Sequence, residues 1–210
     1  MGSIARFFEA GGWVMYPLLG LSLASIAVIV ERLLAYRTIA NQTPGLLPQV
    51  IELCRDRKFD EALVLAEAGV GPVASCIETV LRHRSQPVED VERNVQEVGE
   101  LYFLELERRL PLLDTTTTIS PLLGLLGTLF GMIGTFQQIA ASKSQGATDS
   151  ILSGVGEALY ATATGLSIAV VCFVSYNYFA ARSRAVSSET EQSATKLINV
   201  LRELHQLGAG

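Results

Sequence analysis

The chain has 210 residues, 49% of them hydrophobic, with a mean hydropathy of +0.35, which is too apolar for an ordinary soluble domain although 18% of its residues are charged. The charge must therefore be segregated from the apolar stretches. A net charge of −5 with no basic cluster argues against a nucleic-acid surface.

Residues 1–12 carry an Arg-Phe-Phe-Glu patch suited to a membrane surface. From Trp13 to Val30 the chain is uncharged, and Glu31-Arg32 closes the run. Residues 13–36 are therefore expected to form a first transmembrane helix. A cleavable leader ending near Ser22-Leu-Ala24 is the competing reading. Apolarity continues six residues beyond that point, which favours an uncleaved span.

Residues 37–110 read as a helical insert. Asn41-Gln-Thr-Pro44-Gly45 is a turn signal, and helical spacing follows over residues 46–54 and 59–68. Gly69-Val-Gly71-Pro72 separates these from a third helix over 73–82, and Ser85-Gln-Pro87 breaks the pattern again. Val88 opens a helix that can run through Arg109 toward the membrane, with Pro111 and Pro121 kinking it rather than ending it. Such a helix would tie the insert to the next span. No linker is long enough to free the insert as a separate domain.

Residues 111–140 form the second expected span. Residues 119–139 carry no charge, and about 21 helical residues reach about 31 Å, enough for a bilayer core. On a helical wheel Asp114, Thr117, Pro121, Gly124, Thr128, Gly131 and Thr135 share one face, while Leu122, Leu125, Leu129, Ile133 and Phe136 lie elsewhere. Hydroxyls and glycines on one face suit either water or a closely packed neighbour, since Gly127-x-x-x-Gly131 is a packing motif and Thr can bond its own backbone.

After a loop over 141–150, the third expected span covers 151–181. Residues 155–174 hold one charge, Glu157. A carboxyl there costs on the order of 2 to 3 kcal/mol unless it is protonated, hydrated or paired, so it is a functional candidate. Glu157 shares a face with Ser150, Ser153, Ala161 and Thr164. Thr162 lies about 140° away on an ideal helix, on a face with Ala158, Gly165 and Ala169. Either that small-residue face borders a lumen and Glu157 turns toward the preceding helix, or the helix departs from ideality.

These residues carry a resemblance. Gly124-Leu-Leu-Gly127-Thr128-Leu-Phe-Gly131-Met, followed by Gly156-Glu157-Ala158-Leu159-Tyr160-Ala161-Thr162-Ala-Thr-Gly165-Leu166, is similar to the MotA/TolQ/ExbB proton-channel family, with the ExbB and TolQ branch nearest. The likeness extends to the opening Gly11-Gly12-Trp13-Val-Met15-Tyr-Pro17-Leu and covers nearly all of the chain. It implies a bacterial inner-membrane subunit that forms a homo-oligomeric ring, usually a pentamer, around a dimer of a single-span ExbD- or TolR-like partner. A TonB- or TolA-like protein is a further implied partner. By the same resemblance Thr128 and Thr162 match pore-lining threonines and Glu157 the intramembrane glutamate, giving a proton pathway of Thr128, Glu157 and Thr162. Thr117, Gly124, Gly131, Thr135, Ala158, Thr164 and Gly165 are expected on a pore or packing face. The implied output is proton-driven work, with TonB-dependent import ahead of TolQ-like envelope maintenance, a gliding-type motor or a non-conducting scaffold.

Lys and Arg beside the spans set an expected orientation. Arg32, Arg37, Arg108, Arg109, Arg182 and Arg184 fall on one side, against Arg6 and Lys143 on the other. The N-terminus is thus expected outside, with residues 37–110 and 182–210 cytoplasmic. The tail is an expected amphipathic helix with Ala194, Leu197, Ile198, Leu201 and Leu204 on one stripe, for packing on the insert or on neighbouring subunits. The expected whole is an all-α polytopic membrane protein, with three transmembrane helices, a cytoplasmic helical insert and a C-terminal cytoplasmic helix. Cys54, Cys76 and Cys172 lack metal spacing and read as reduced thiols. No phosphate loop, catalytic triad or paired carboxylate is recognisable, so neither enzyme activity nor a cofactor or metal is expected.

Overall fold

The structure, a computed structural model, describes residues 12–42, 45–141 and 147–208. Expectations for residues 1–11, for 43–44 and for the 142–146 part of the expected loop over 141–150 fall outside the described residues. Among the described residues there are seven helices and no strand: α1 (Met15–Gln42), α2 (Leu46–Arg55), α3 (Phe59–Glu67), α4 (Pro72–Arg82), α5 (Val88–Glu107), α6 (Leu110–Ala141) and α7 (Ala147–Gly208). Three helical stretches are long and apolar enough to cross a membrane, within Met15–Ile39, Val88–Gln137 and Ala158–Leu204. The all-α class and the three spans are as the hydropathy pattern predicts.

Two compact units divide the chain. The first comprises Met1–Val30 with Arg109–Tyr178, and the second Glu31–Arg108 with Phe179–Gly210.

In the first unit the usual distribution of polarity is inverted. Leu19, Leu23, Ile26, Leu122, Leu125, Leu129, Phe136, Leu166, Val170 and Phe173 are exposed, whereas Ser25, Thr116 and Ser120 are almost fully buried. That is the arrangement for a lipid solvent, in which apolar side chains gain nothing by turning inward and helices are held by close approach and hydrogen bonds. Val14, Met15 and Leu18 pack with Ala161, closing this unit at the start of α1. Pro111 sits in the first turn of α6, where its missing N–H is not needed, while Pro121 lies inside the helix.

The second unit is built like a water-soluble domain. α4 is its centre: Val73, Ala74, Cys76, Ile77, Val80 and Leu81 are all buried. Around it gather Val50 and Cys54 of α2, Ala62 and Ala66 of α3, and Val91 and Val95 of α5. Ala194, Leu197, Ile198 and Leu201 of α7 complete the cluster, so the C-terminal stripe packs on the insert. α7 itself continues without a break past Ala181, where the sequence changes from apolar to polar.

The helix from Val88 does not run unbroken into the span. α5 ends at Glu107, two turn residues follow, and α6 begins at Leu110. The ending has a specific cap. Arg32, only 6% exposed, donates from Nη1 to the carbonyls of Leu106 at 2.7 Å and Glu105 at 3.3 Å, and from Nη2 to Glu31 at 2.7 Å. A guanidinium on the last free carbonyls of a helix satisfies acceptors that have no partner within it, and its charge complements the negative end of the helix dipole. Arg32, counted among the side-defining cations, is thus also a structural cap.

Candidate functional site: the α6–α7 contact

The closest approach in the first unit is between α6 and α7, and glycine makes it. A Cβ on Gly124 would lie 2.8 Å from the Ala161 carbonyl oxygen and 2.9 Å from the Thr162 Cα. One on Gly127 would lie 2.6 Å from the Ala161 Cβ, and one on Gly165 would overlap the Ser120 carbonyl oxygen. The two backbones therefore touch across Gly124 and Gly165, with no side chain between them. Thr162 uses this proximity: its hydroxyl donates to the Gly124 carbonyl at 2.9 Å.

The small-residue face of α7 is the packed one. Ala158 and Ala169 are buried, as are Ala161 and Gly165. Thr162 itself is half-buried. The side chain of Glu157 lies outside the described residues; its backbone is helical, within α7.

The remaining hydroxyls fall into two groups. Thr117 is half-buried and donates to the Leu113 carbonyl at 2.9 Å, and Thr128, also half-buried, donates to the Leu125 carbonyl at 2.7 Å. Thr164 is partly exposed and donates to the Tyr160 carbonyl at 2.8 Å. Thr135 is buried and donates to the Gly131 carbonyl at 2.9 Å, and Gly131 is partly exposed. Each of these hydroxyls returns its proton to the preceding turn of its own helix, the ordinary way for Thr to be neutral inside an apolar helix.

Sequence reading missed a second polar seam. Ser25 of α1 donates to the Thr116 hydroxyl at 3.3 Å, and Thr116 donates to the Leu112 carbonyl at 2.7 Å. One turn on, the hydroxyl of Ser120 is fully buried and has no partner among the described residues. The buried face of α6 is therefore Leu113, Thr116, Ser120, Gly124 and Gly127, one residue out of step with the face through Thr117, Pro121 and Thr128. The two faces share Gly124. A search for small and hydroxyl residues at four-residue spacing would have found Thr116-Ser120-Gly124.

The fold and this contact define a three-span helical membrane protein whose second and third spans are joined by glycine and threonine. Residues 68–192 match the model of the MotA/TolQ/ExbB proton channel family. The chain is 31% identical over 172 residues to ExbB-like 3 of Synechocystis sp., covering 81% of each chain. It is 28% identical over 178 residues to the biopolymer transport protein exbB1 of Vibrio cholerae, covering 81% of this chain and 76% of that one. A shorter match joins it to the Tol-Pal system protein TolQ of Haemophilus influenzae, with 36% identity over 84 residues, 40% of this chain and 36% of that one. The chain belongs to the MotA/TolQ/ExbB proton channel family. It is thus a multi-pass membrane protein of a channel type that serves energy transduction, on the ExbB and TolQ branch.

Proposed function

We propose that the chain is the ring-forming subunit of a proton-driven energiser in a bacterial inner membrane, with its N-terminus outside and residues 37–110 and 182–210 in the cytoplasm. The observation that carries this reading is Glu157, the one charged residue in residues 155–174 of a family member's third span. Membrane burial of a carboxyl is unfavourable enough that it marks a working site rather than packing. In this reading Thr128 and Thr162 flank a hydrated path and Glu157 sets its electrostatics. Thr162 does so from the helix contact, since its own proton goes to Gly124. Thr117, Gly131 and Thr164 line or border the path, while Gly124, Thr135, Ala158 and Gly165 hold its walls.

The apolar runs 119–139 and 155–174 hold no carboxyl besides Glu157, so no second one lies there to relay a proton across the full span. Coupling to work then needs a titrating group on a partner. A single-span ExbD- or TolR-like dimer inside a pentameric ring supplies it in the family pattern, with a TonB- or TolA-like protein receiving the output. Import of the TonB-dependent kind is the favoured output, in line with the long matches to ExbB-named proteins. The TolQ match over 84 residues at higher identity supports envelope maintenance as the second reading. A neighbouring gene for a TonB-like protein would favour the first, and one for a TolR-like protein among envelope genes the second.

Co-reconstitution in liposomes with the ExbD-like protein tests the proposal. Proton uptake driven by an imposed gradient is expected with the native chain and is lost in Glu157→Gln, with the oligomer intact. Undiminished uptake in that variant would remove Glu157 from the mechanism, and full coupled activity without any partner would remove the partner's role. An assembled complex that conducts nothing would leave a scaffold.

A further inference from the structure

The second unit departs from local helix preference at two places, in opposite senses. α2 closes with a helix-ending turn in which the Arg57 N–H donates to the Cys54 carbonyl at 3.1 Å and the Lys58 N–H to the Leu53 carbonyl at 2.9 Å. That pair of bonds requires a left-handed residue after the cap, a position glycine fills most easily. Here Arg57 occupies it, with φ of 62°. The turn holds three exposed cations, Arg55, Arg57 and Lys58, against one exposed anion, Asp56. Among the described residues the Arg57 guanidinium has no ion-pair partner, and Lys58 reaches Glu61 only at 3.8 Å.

Gly99 is the reverse case. It lies in the middle of α5, where any ordinary residue would make a better helix. A Cβ there would meet Cys76 Sγ and Phe103 at 3.9 Å, an ordinary contact, so nothing in the fold demands glycine. What its missing side chain does is deepen a groove of about 770 Å³ between α5 and the C-terminal part of α7. Glu92, Glu100, Glu107 and Glu191 line that groove with one lining cation, Arg184, and Glu92 also faces Arg202 at 4.0 Å. Glu100 and Glu191 hydrogen-bond neutral neighbours, Gln96 at 2.9 Å and Ser187 at 3.3 Å, so their charge stays available to a partner.

We propose that the groove over Gly99 receives the Arg57 turn of a second copy of this chain, a pairing that rests on the ring reading and gives its contact surfaces. An exposed cationic turn with Arg57 in a left-handed conformation and a recess edged by carboxylates are complementary in charge. They are different surfaces of one protomer, so the pairing is head-to-tail and repeats from copy to copy until a ring closes. Local rules broken at both partners, with no gain inside either helix, are explained by the contact they make together.

Native mass spectrometry of the full chain in detergent, diluted stepwise, tests this. Arg57→Glu and Glu100→Arg should each shift dissociation to about tenfold higher concentration, as expected for losing a partly desolvated charge pair. The double variant should recover assembly. Arg57→Gly and Gly99→Ala should raise the melting temperature of the chain yet weaken the oligomer, a combination that a folding defect cannot produce. Wild-type assembly in all four single variants overturns the proposal and leaves the ring standing on other surfaces. A native chain that is monomeric in membranes as well as detergent overturns both. Release of a co-purified basic protein, with the oligomer unchanged, assigns the groove to that protein instead and overturns the self-pairing.

Discussion

The Thr162 hydroxyl on α7 donates to the Gly124 carbonyl on α6 at 2.9 Å, across a contact where neither helix places a side chain between the backbones. That carbonyl already serves its own helix, so the bond from Thr162 is an additional one that fixes the rotation of one helix against the other. Thr162→Val keeps the volume and removes the donor. It should lower stability by about 1 kcal/mol, the net worth of one such bond, and reduce coupled proton uptake, whereas Thr162→Ser should keep both. Thermal unfolding in detergent beside the liposome assay reads the two effects. Thr162→Val that melts and conducts like the native chain would leave the bond without consequence.

Gly124 and Gly134 separate packing from helix preference within α6. At Gly124 a methyl group would press on the Ala161 and Thr162 backbone at 2.8 and 2.9 Å, while at Gly134 nothing lies within 4 Å. Gly124→Ala should destabilise the helix pair by about 1 to 3 kcal/mol, because backbone cannot yield as a side-chain tip can. Gly134→Ala should be neutral or stabilising by up to about 1 kcal/mol. Equal melting temperatures for the two variants would contradict the contact.

Arg32 is buried with three hydrogen bonds, two of them at 2.7 Å, and reaches the end of α5 from α1. Arg32→Met should cost about 3 kcal/mol, because the Leu106 and Glu105 carbonyls lose a charged donor in a buried place. Amide exchange in the last turn of α5 should rise at the same time. Protection there equal to the native chain's would show that the cap is dispensable.

Cys76 gives a pH dependence. Burial beside α5 pushes its thiol up to about 11 from an ordinary 9.0. Because the folded value lies above the unfolded one, the contribution is fully present below pH 9 and fades as pH rises toward 11. The second unit should therefore lose stability across that window, and less so in Cys76→Ala. At pH 8 the thiol should alkylate far more slowly in the folded chain than in urea. Matching rates would mean that the site opens.

Much of this was legible in the chain because its signals are local. The spans announce themselves by absent charge, and Gly45, Gly71-Pro72 and Pro87 mark the helix starts in the insert, where α2, α4 and α5 begin at Leu46, Pro72 and Val88. What was not legible depends on distant partners. Thr116 and Thr117 are chemically equal in the run Thr115–Thr118, and the inward one is chosen by residues of other helices such as Ser25. The break after Glu107 is signalled in the chain only by Pro111, which cannot bond the Glu107 carbonyl, whereas the cap that closes α5 comes from Arg32, 74 positions away from Leu106. Nor could the change of composition at Ala181 reveal that α7 continues, because polarity alone does not end a helix that lacks a breaker. For Thr128 and Thr162 sequence supplied chemistry and order, while the partner of each hydroxyl came only with the packing.

The self-directed hydroxyls of Thr117, Thr128 and Thr164 carry one more consequence. A threonine whose proton is already given to its own backbone turns only lone pairs outward. Water meeting such a surface must arrive hydrogen-first, with its oxygen pointing away. In the proposed path each such hydroxyl would present a fixed negative partial charge, welcoming to hydronium or a bare cation and indifferent to anions. Such a hydroxyl would orient water but could not hand on a proton itself, because it would first have to break its helix bond. Any hop along the proposed path would then belong to the water, with the threonines as the rail rather than the carriers.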